Sequence, residues 1–230
     1  TQLHNSYGSI QQLLCKLRDK NISMPFDIDD MINNLQNYMN HYNSYFNINK
    51  MFKCNLNSIV NFFKKEVSEE VDVICQTIEE SKQQLDEERE KIIELFLENF
   101  EDGKIDINGK MFTIQQFFSV DRTDKEGYSI KANKNCIDVS KLKKTIENEG
   151  YVIKAKNKSN YKITSKTIDN ISKRLVGYNE QKKNIVRHEY MKILDTFATQ
   201  YNDLWSELVN IISDIDFYIC GAKVADMYGY

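Results

Sequence analysis

The 55 residues from Ser165 to Ile219 contain no proline, and their second half carries Tyr190, Leu194, Phe197, Tyr201, Leu204, Leu208, Ile211 and Ile215. Those apolar positions alternate by four and three, the period of a coiled-coil-like seam. Thr164 or Ser165 can cap the start, since a side-chain oxygen there accepts a first-turn N–H. A continuous helix over this stretch would be about 80 Å long at 1.5 Å per residue. A compact chain of 230 residues has a radius of gyration of about 17 Å. The expectation is therefore a stalk of two long helices side by side, not a ball.

The outgoing helix is found upstream. Val67, Val71, Ile74 and Ile78 repeat at helical spacing, and Leu85, Ile92 and Leu95 resume the stripe, predicting one helix from about Val67 to Phe100. The intervening run Gln83 to Lys91 is densely charged and reads as a solvated helix face. Before it, Leu13, Leu14 and Leu17 predict a short helix. Pro25 stands where a second can start, because its missing N–H is not needed in a first turn. Ile28, Met31, Ile32, Leu35, Tyr38, Met39, Tyr42 and Phe46 give that second helix its apolar stripe. After a polar break at Lys53 to Ser58, Ile59, Val60, Phe62 and Phe63 begin or cap the next helix. The seam's expected packing partner is the Val67 to Leu95 stripe of the same chain.

Between the long helices the period changes from helical to alternating. Asp102-Gly103 and Asn108-Gly109 are turn dipeptides, and around them Ile105 and Ile107, then Phe112, Ile114 and Phe118, then Tyr128, Ile130 and Ala132 read as strands. Val139 to Glu147 reads as a short helix ended by Gly150. Tyr151 to Lys156 and Tyr161 to Ile163 read as two further strands around a polar turn at Asn157 to Asn160. With one proline and eight glycines the chain has too little turn chemistry for an all-β fold. The fold class is α+β, mainly α: long antiparallel helices forming a stalk, with a small β-rich module inserted at the tip. The expected divisions are outgoing helices over 1–100, the β-rich module over 101–164 and the returning helix over 165–230.

Charge is unevenly spread along this plan. Tyr128 to Arg174 holds twelve basic residues against four acidic ones, a local +8, while the remainder of the chain carries −11. Such segregation makes a field suited to a polyanion, and a phosphate backbone recruits Lys and Arg by counterion release without any base contact. Strand alternation puts Lys154 and Lys156 on one face while Tyr151, Ile153 and Ala155 pack on the other. The candidate contact set is Lys154, Lys156, Lys158, Ser159, Asn160 and Lys162, with N–H groups near Thr164 as further phosphate donors.

Catalytic chemistry finds no support. None of the eight glycines stands in a Gly-x-x-x-x-Gly-Lys-Ser/Thr loop. His188-Glu189-Tyr190-Met191-Lys192 has lysine where a zinc protease needs its second imidazole. The five cysteines form no Cys-x-x-Cys pair, which fits a reducing, intracellular compartment, nuclear if eukaryotic and cytoplasmic otherwise. No apolar run reaches the length of a membrane span, so no membrane partner is expected. The chain starts without methionine and reads as a piece of a longer protein.

Five segments, in this order, resemble the lever and clamp region of MutS-family DNA mismatch repair proteins. Pro25-Phe26-Asp27-Ile28 and its amphipathic helix are similar to the family's core helix before the lever. Gln83 to Lys91, with Leu85, Glu87, Glu88 and Arg89, resembles the lever segment entering the clamp. Gly127-Tyr128-Ser129-Ile130 resembles a clamp strand that often reads Gly-Tyr-Tyr-Ile. Tyr161-Lys162-Ile163-Thr164 resembles the Arg-Phe-Ile-Thr turn into the returning lever, with tyrosine at the arginine position and Lys162 beside it. Ile212 to Ala225 resembles the element that leads toward the ATPase domain. The resemblance implies a sequence-independent grip on duplex DNA by the clamp, coupled through the lever to a distant ATPase. It implies ATP and magnesium, and a second MutS-like subunit, for the full-length protein, with no catalytic residue and no cofactor in this piece. The alternative reading is a helical scaffold whose seam recruits a partner protein.

Overall fold

The computed structural model describes residues 2–20, 24–54, 60–97, 104–107, 110–123, 127–134 and 146–230. Two compact units emerge, Thr1–Glu69 with Val186–Tyr230, and Glu70–Ile185.

The first unit is helical. Helices α1 (Gln2–Asp19) and α2 (Ile28–Tyr45) are joined in part by Tyr7 Oη, which donates to Gln36 Oε1 at 3.1 Å. The start of α2 is set by Asp27, whose side chain accepts from the N–H groups of Asp29 and Asp30 at 2.9 and 3.1 Å. That aspartate does what Pro25 was expected to do, because a side-chain acceptor satisfies first-turn donors that proline merely lacks. A single turn, α3 (Ile48–Met51), follows.

Val60 to Phe63 does not begin a helix. Phe63 pairs antiparallel with Phe46, and Asn47 N–H and Lys64 N–H donate to Phe62 O and Tyr45 O at 2.7 and 2.9 Å. Phe62 and Phe63 are both buried there, their ring centroids 6.0 and 5.5 Å from that of Phe46.

The outgoing helix α4 is Glu69–Leu97, and the returning one is α5 (Lys166–Gln200), followed by α6 (Asn202–Tyr228). Ser165 caps α5, its Oγ accepting from Ile168 N–H at 3.1 Å. The expected unbroken helix over 165–219 is interrupted at Tyr201 (φ −113°, ψ 14°) and then runs past Ile219 to Gly229, whose φ of 71° ends it. The interruption is one residue wide. Tyr201 N–H still reaches Phe197 O, and Trp205 N–H reaches Tyr201 O.

The seam is buried as its period predicts, at Phe197, Leu208, Ile211 and Ile215. Phe197, Tyr201 and Trp205 make ring contacts with α2. Tyr38 meets all three rings edge-on, with centroids 5.8, 4.9 and 5.0 Å away.

Burial pushes the Tyr38 hydroxyl up to about 12, and burial with the neighbouring Tyr190 raises Tyr42 further. An unfolded tyrosine ionises near pH 10. Between pH 10 and 12 the unfolded chain therefore binds fewer protons than the folded one, and stability falls as pH rises. Urea midpoints of the wild type are expected to drop across that window. Tyr38→Phe should make the drop shallower, and a midpoint that stays flat to pH 12 contradicts the assignment.

The second unit combines α4 and the first half of α5 with two sheets. Strands β1 (Lys104–Ile107) and β2 (Lys110–Thr113) form an antiparallel pair. Ile114, expected in a strand, starts one 3-10 turn (Ile114–Phe117) and is completely buried there. Strands β3 (Phe118–Thr123), β4 (Gly127–Asn133), β5 (Val152–Ala155) and β6 (Asn160–Thr164) form an antiparallel sheet in the order β3-β4-β6-β5. One sheet face supplies Phe118, Ile130, Ala132 and Ile163 to a core that also contains Ile92 and Phe96 of α4 and Ile168, Ile171 and Leu175 of α5. Most of the helix expected over 139–147 lies outside the described residues, although Ile146 joins this core.

Candidate nucleic-acid interface

Register makes the site. Lys131 of β4 is paired with Lys162 of β6, and Lys162 with Lys154 of β5, while Ser119 of β3 completes the row. Residues directly opposite one another share a face, so three lysine side chains leave the same face of adjacent strands whose backbones are about 4.8 Å apart. The core-facing residues Ile130 and Ile163 are completely buried, which turns this lysine row to the opposite face. Lys154 is exposed, and Lys131 and Lys162 are half-buried. Lys131 was not in the expected contact set. Alternation within one strand shows which residues share its face, but only the pairing of distant strands shows which residues stand beside them.

The expected contribution of β5 is altered by its place at the sheet edge. Tyr151 is buried and Ile153 half-buried, but Ala155 is exposed and does not pack as expected. Lys156 forms an ion pair with Asp121 of β3, and their side chains are 22% and 27% exposed. Strands β3 and β5 are the two edges of the sheet, three spacings or about 14 Å apart if it were flat. An aspartate and a lysine span less than that, so the sheet curls to bring its edges together. Ser129, on the lysine face, is buried, which fits a lysine face on the inside of the curl.

The turn beyond β5 is organised by Asn157. Its Oδ1 accepts from the N–H groups of Ser159 and Asn160 at 2.9 and 2.8 Å and from Asn160 Nδ2 at 3.2 Å. These donors are therefore occupied inside the turn, while Lys158 and Ser159 are exposed. Lys134, just after β4, holds the turn through its N–H to Ser159 O at 2.8 Å. Its ammonium lies 4.7 Å from the centre of the Tyr161 ring.

Two contacts fix the sheet on the helices. Gly127 opens β4 with φ 72°, and a Cβ there would sit 2.5 Å from Ser172 Oγ of α5. That oxygen accepts from Tyr128 N–H at 2.7 Å. On α4, Glu88 is buried, contrary to the expectation of a fully solvated charged run. Its carboxylate accepts from Tyr151 Oη at 3.1 Å and Lys91 Nζ at 2.7 Å. Burial and the adjacent carboxylate push Tyr151 up to about 12, and the Glu88 hydrogen bond raises Lys91 above its ordinary value. Leu85 and Ile92 mark the helix face on which Glu88 lies, and that spacing was the signal available in the sequence.

Among the described residues no group of three or more His, Cys, Asp and Glu side chains is placed to hold a metal ion, and no helix is long and apolar enough to cross a membrane. No family model matches the chain. Over 110 residues, 46% of this chain, the sequence is 32% identical to a mitochondrial DNA mismatch repair protein mutS homolog of Sarcophyton glaucum. The match covers 11% of that relative, so the chain spans a small part of its length. This similarity supports a relationship between the chain and MutS-type mismatch repair proteins.

Proposed function

We propose that the chain is a lever and clamp of a MutS-like mismatch repair protein, gripping duplex DNA by its phosphates without reading base sequence. The supporting observation is the row of Lys131, Lys162 and Lys154 in direct register. Like charges placed directly opposite one another destabilise a sheet. A face shaped for stability alone would alternate their signs. An incoming polyanion relieves the repulsion and releases its own counterions. Glu88 and Ser172 provide the seats through which the sheet is carried on the two long helices. In the longer protein this reading implies a second MutS-like subunit, with ATP and magnesium acting elsewhere, since these 230 residues hold no phosphate-binding loop motif.

The test is binding of a labelled duplex of mixed sequence as salt is varied. Wild-type affinity is expected to fall steeply with salt and to differ little between sequences. Changing Lys131, Lys154 and Lys162 together to alanine should weaken binding about tenfold to a hundredfold at 50 mM salt and make the log-log slope shallower by up to about 3. Salt-independent binding, or an unchanged triple variant, removes the DNA reading. The scaffold reading is less supported because the seam residues Phe197, Leu208, Ile211 and Ile215 are already buried within the chain.

A further inference from the structure

We propose that Asp121 is a built-in competitor of the DNA phosphate: its carboxylate holds Lys156 in an internal ion pair, and bound backbone must displace it to recruit that lysine. The proposal rests on the DNA reading above and adds to it a residue that sets how tightly the face holds its ligand.

The argument begins with composition in three dimensions. Asp121 is the one carboxylate in strands β3 to β6, which together carry Arg122, Lys131, Lys154 and Lys162. Register puts it opposite Ser129, one step along the strands from the pair formed by Ser119 and Lys131. A lone acid on a basic face is where a phosphate would be repelled most. Its own partner is Lys156, reached across the curl from the opposite edge of the sheet. Both side chains are about three-quarters covered, so salt screens the pair less than it screens an exposed one.

The consequence is an exchange. A DNA phosphate that takes Lys156 leaves Asp121 without its counter-charge and beside another anion. What is gained at the lysine is offset at the aspartate, and Lys156 adds little net affinity while the carboxylate is present. Neutralising position 121 removes both the competitor and the repulsion.

The experiment uses the full 230-residue chain and the same labelled duplex, with salt titrated from 50 to 200 mM. Asp121→Asn should bind about three- to tenfold tighter at 100 mM salt, with a slope steeper by about 1, the signature of one more phosphate neutralised. Asp121→Glu, which keeps the charge, should behave like the wild type. Glu87→Gln makes the same change in net charge at an exposed site on α4 and should shift affinity less than twofold. Lys156→Ala combined with Asp121→Asn should abolish the gain. Thermal melts show whether each variant is folded, and Asp121→Ser replaces the asparagine variant if that one is not. A neutral variant that binds no tighter than wild type, or a gain that survives Lys156→Ala, overturns the proposal while the DNA reading stands. A wild type that binds no duplex overturns both.

Discussion

Phe197→Ala is expected to destabilise the first unit by about 3–5 kcal/mol, the cost of truncating a buried phenylalanine that neighbours cannot replace. Phe197 is 4% exposed. Its ring lies 4.7 to 5.9 Å from those of Tyr38, His41, Tyr42, Tyr45 and Tyr201. Four of these partners stand on α2 and cannot collapse into the space without dragging their helix. Against a typical total of about 5–15 kcal/mol, the loss is a large share. The chain's one tryptophan, Trp205, sits against Tyr38 at 5.0 Å and reports this unit directly. Urea titration followed by its fluorescence should show the midpoint falling steeply for alanine and by less than half as much for Phe197→Leu. A loss below about 1 kcal/mol would mean that the ring cluster repacks freely and is not the anchor described here.

Gly127→Ala is the second large effect, about 2–5 kcal/mol, and it has two separable parts. The left-handed backbone at φ 72° costs a side-chain-bearing residue about 1–2 kcal/mol whatever surrounds it. The new methyl group would also stand 2.5 Å from Ser172 Oγ, and relieving that overlap costs about 1–3 kcal/mol. Ser172 is buried and cannot swing away without giving up the N–H of Tyr128. The parts are separated by a double-mutant cycle with Ser172→Ala, which removes the obstructing oxygen and keeps the helix. The two substitutions should cost less together than their sum by at least 0.5 kcal/mol, since they share one contact. Strict additivity would show that Ser172 is not the obstacle.

Much of this was legible in the amino-acid order, and what was not has a common cause. Alternation around Ile130 and Ile163 and the polar turn at Asn157 marked the strands, because burial on one face imposes a period of two. The stripe from Phe197 to Ile215 marked its helix for the same kind of reason. Neither pattern states a partner. The seam's contact with Tyr38, the pairing of Lys131 with Lys162, and the reach of Lys156 to Asp121 all join residues far apart in sequence, and periodicity is silent about these. Tyr201 breaks a helix without glycine or proline, so no local signal marked it. Glu88 was hidden by its neighbours: in a run of charges, the one carboxylate on the buried face has the same letter as those in water.

The curled sheet has a consequence for the behaviour of the protein in concentrated solution. Among the described residues β3 and β5 are the edge strands of the sheet, and an edge strand is a template on which another chain can add. Here Lys154 stands on one of those strands and Lys156 just beyond it, with Asp121 on the other. A second sheet approaching β5 would meet like charge before it met a hydrogen bond. The residues proposed to hold an anion would thus also guard the edge against added strands, and removing them for a binding experiment would leave that edge more adhesive.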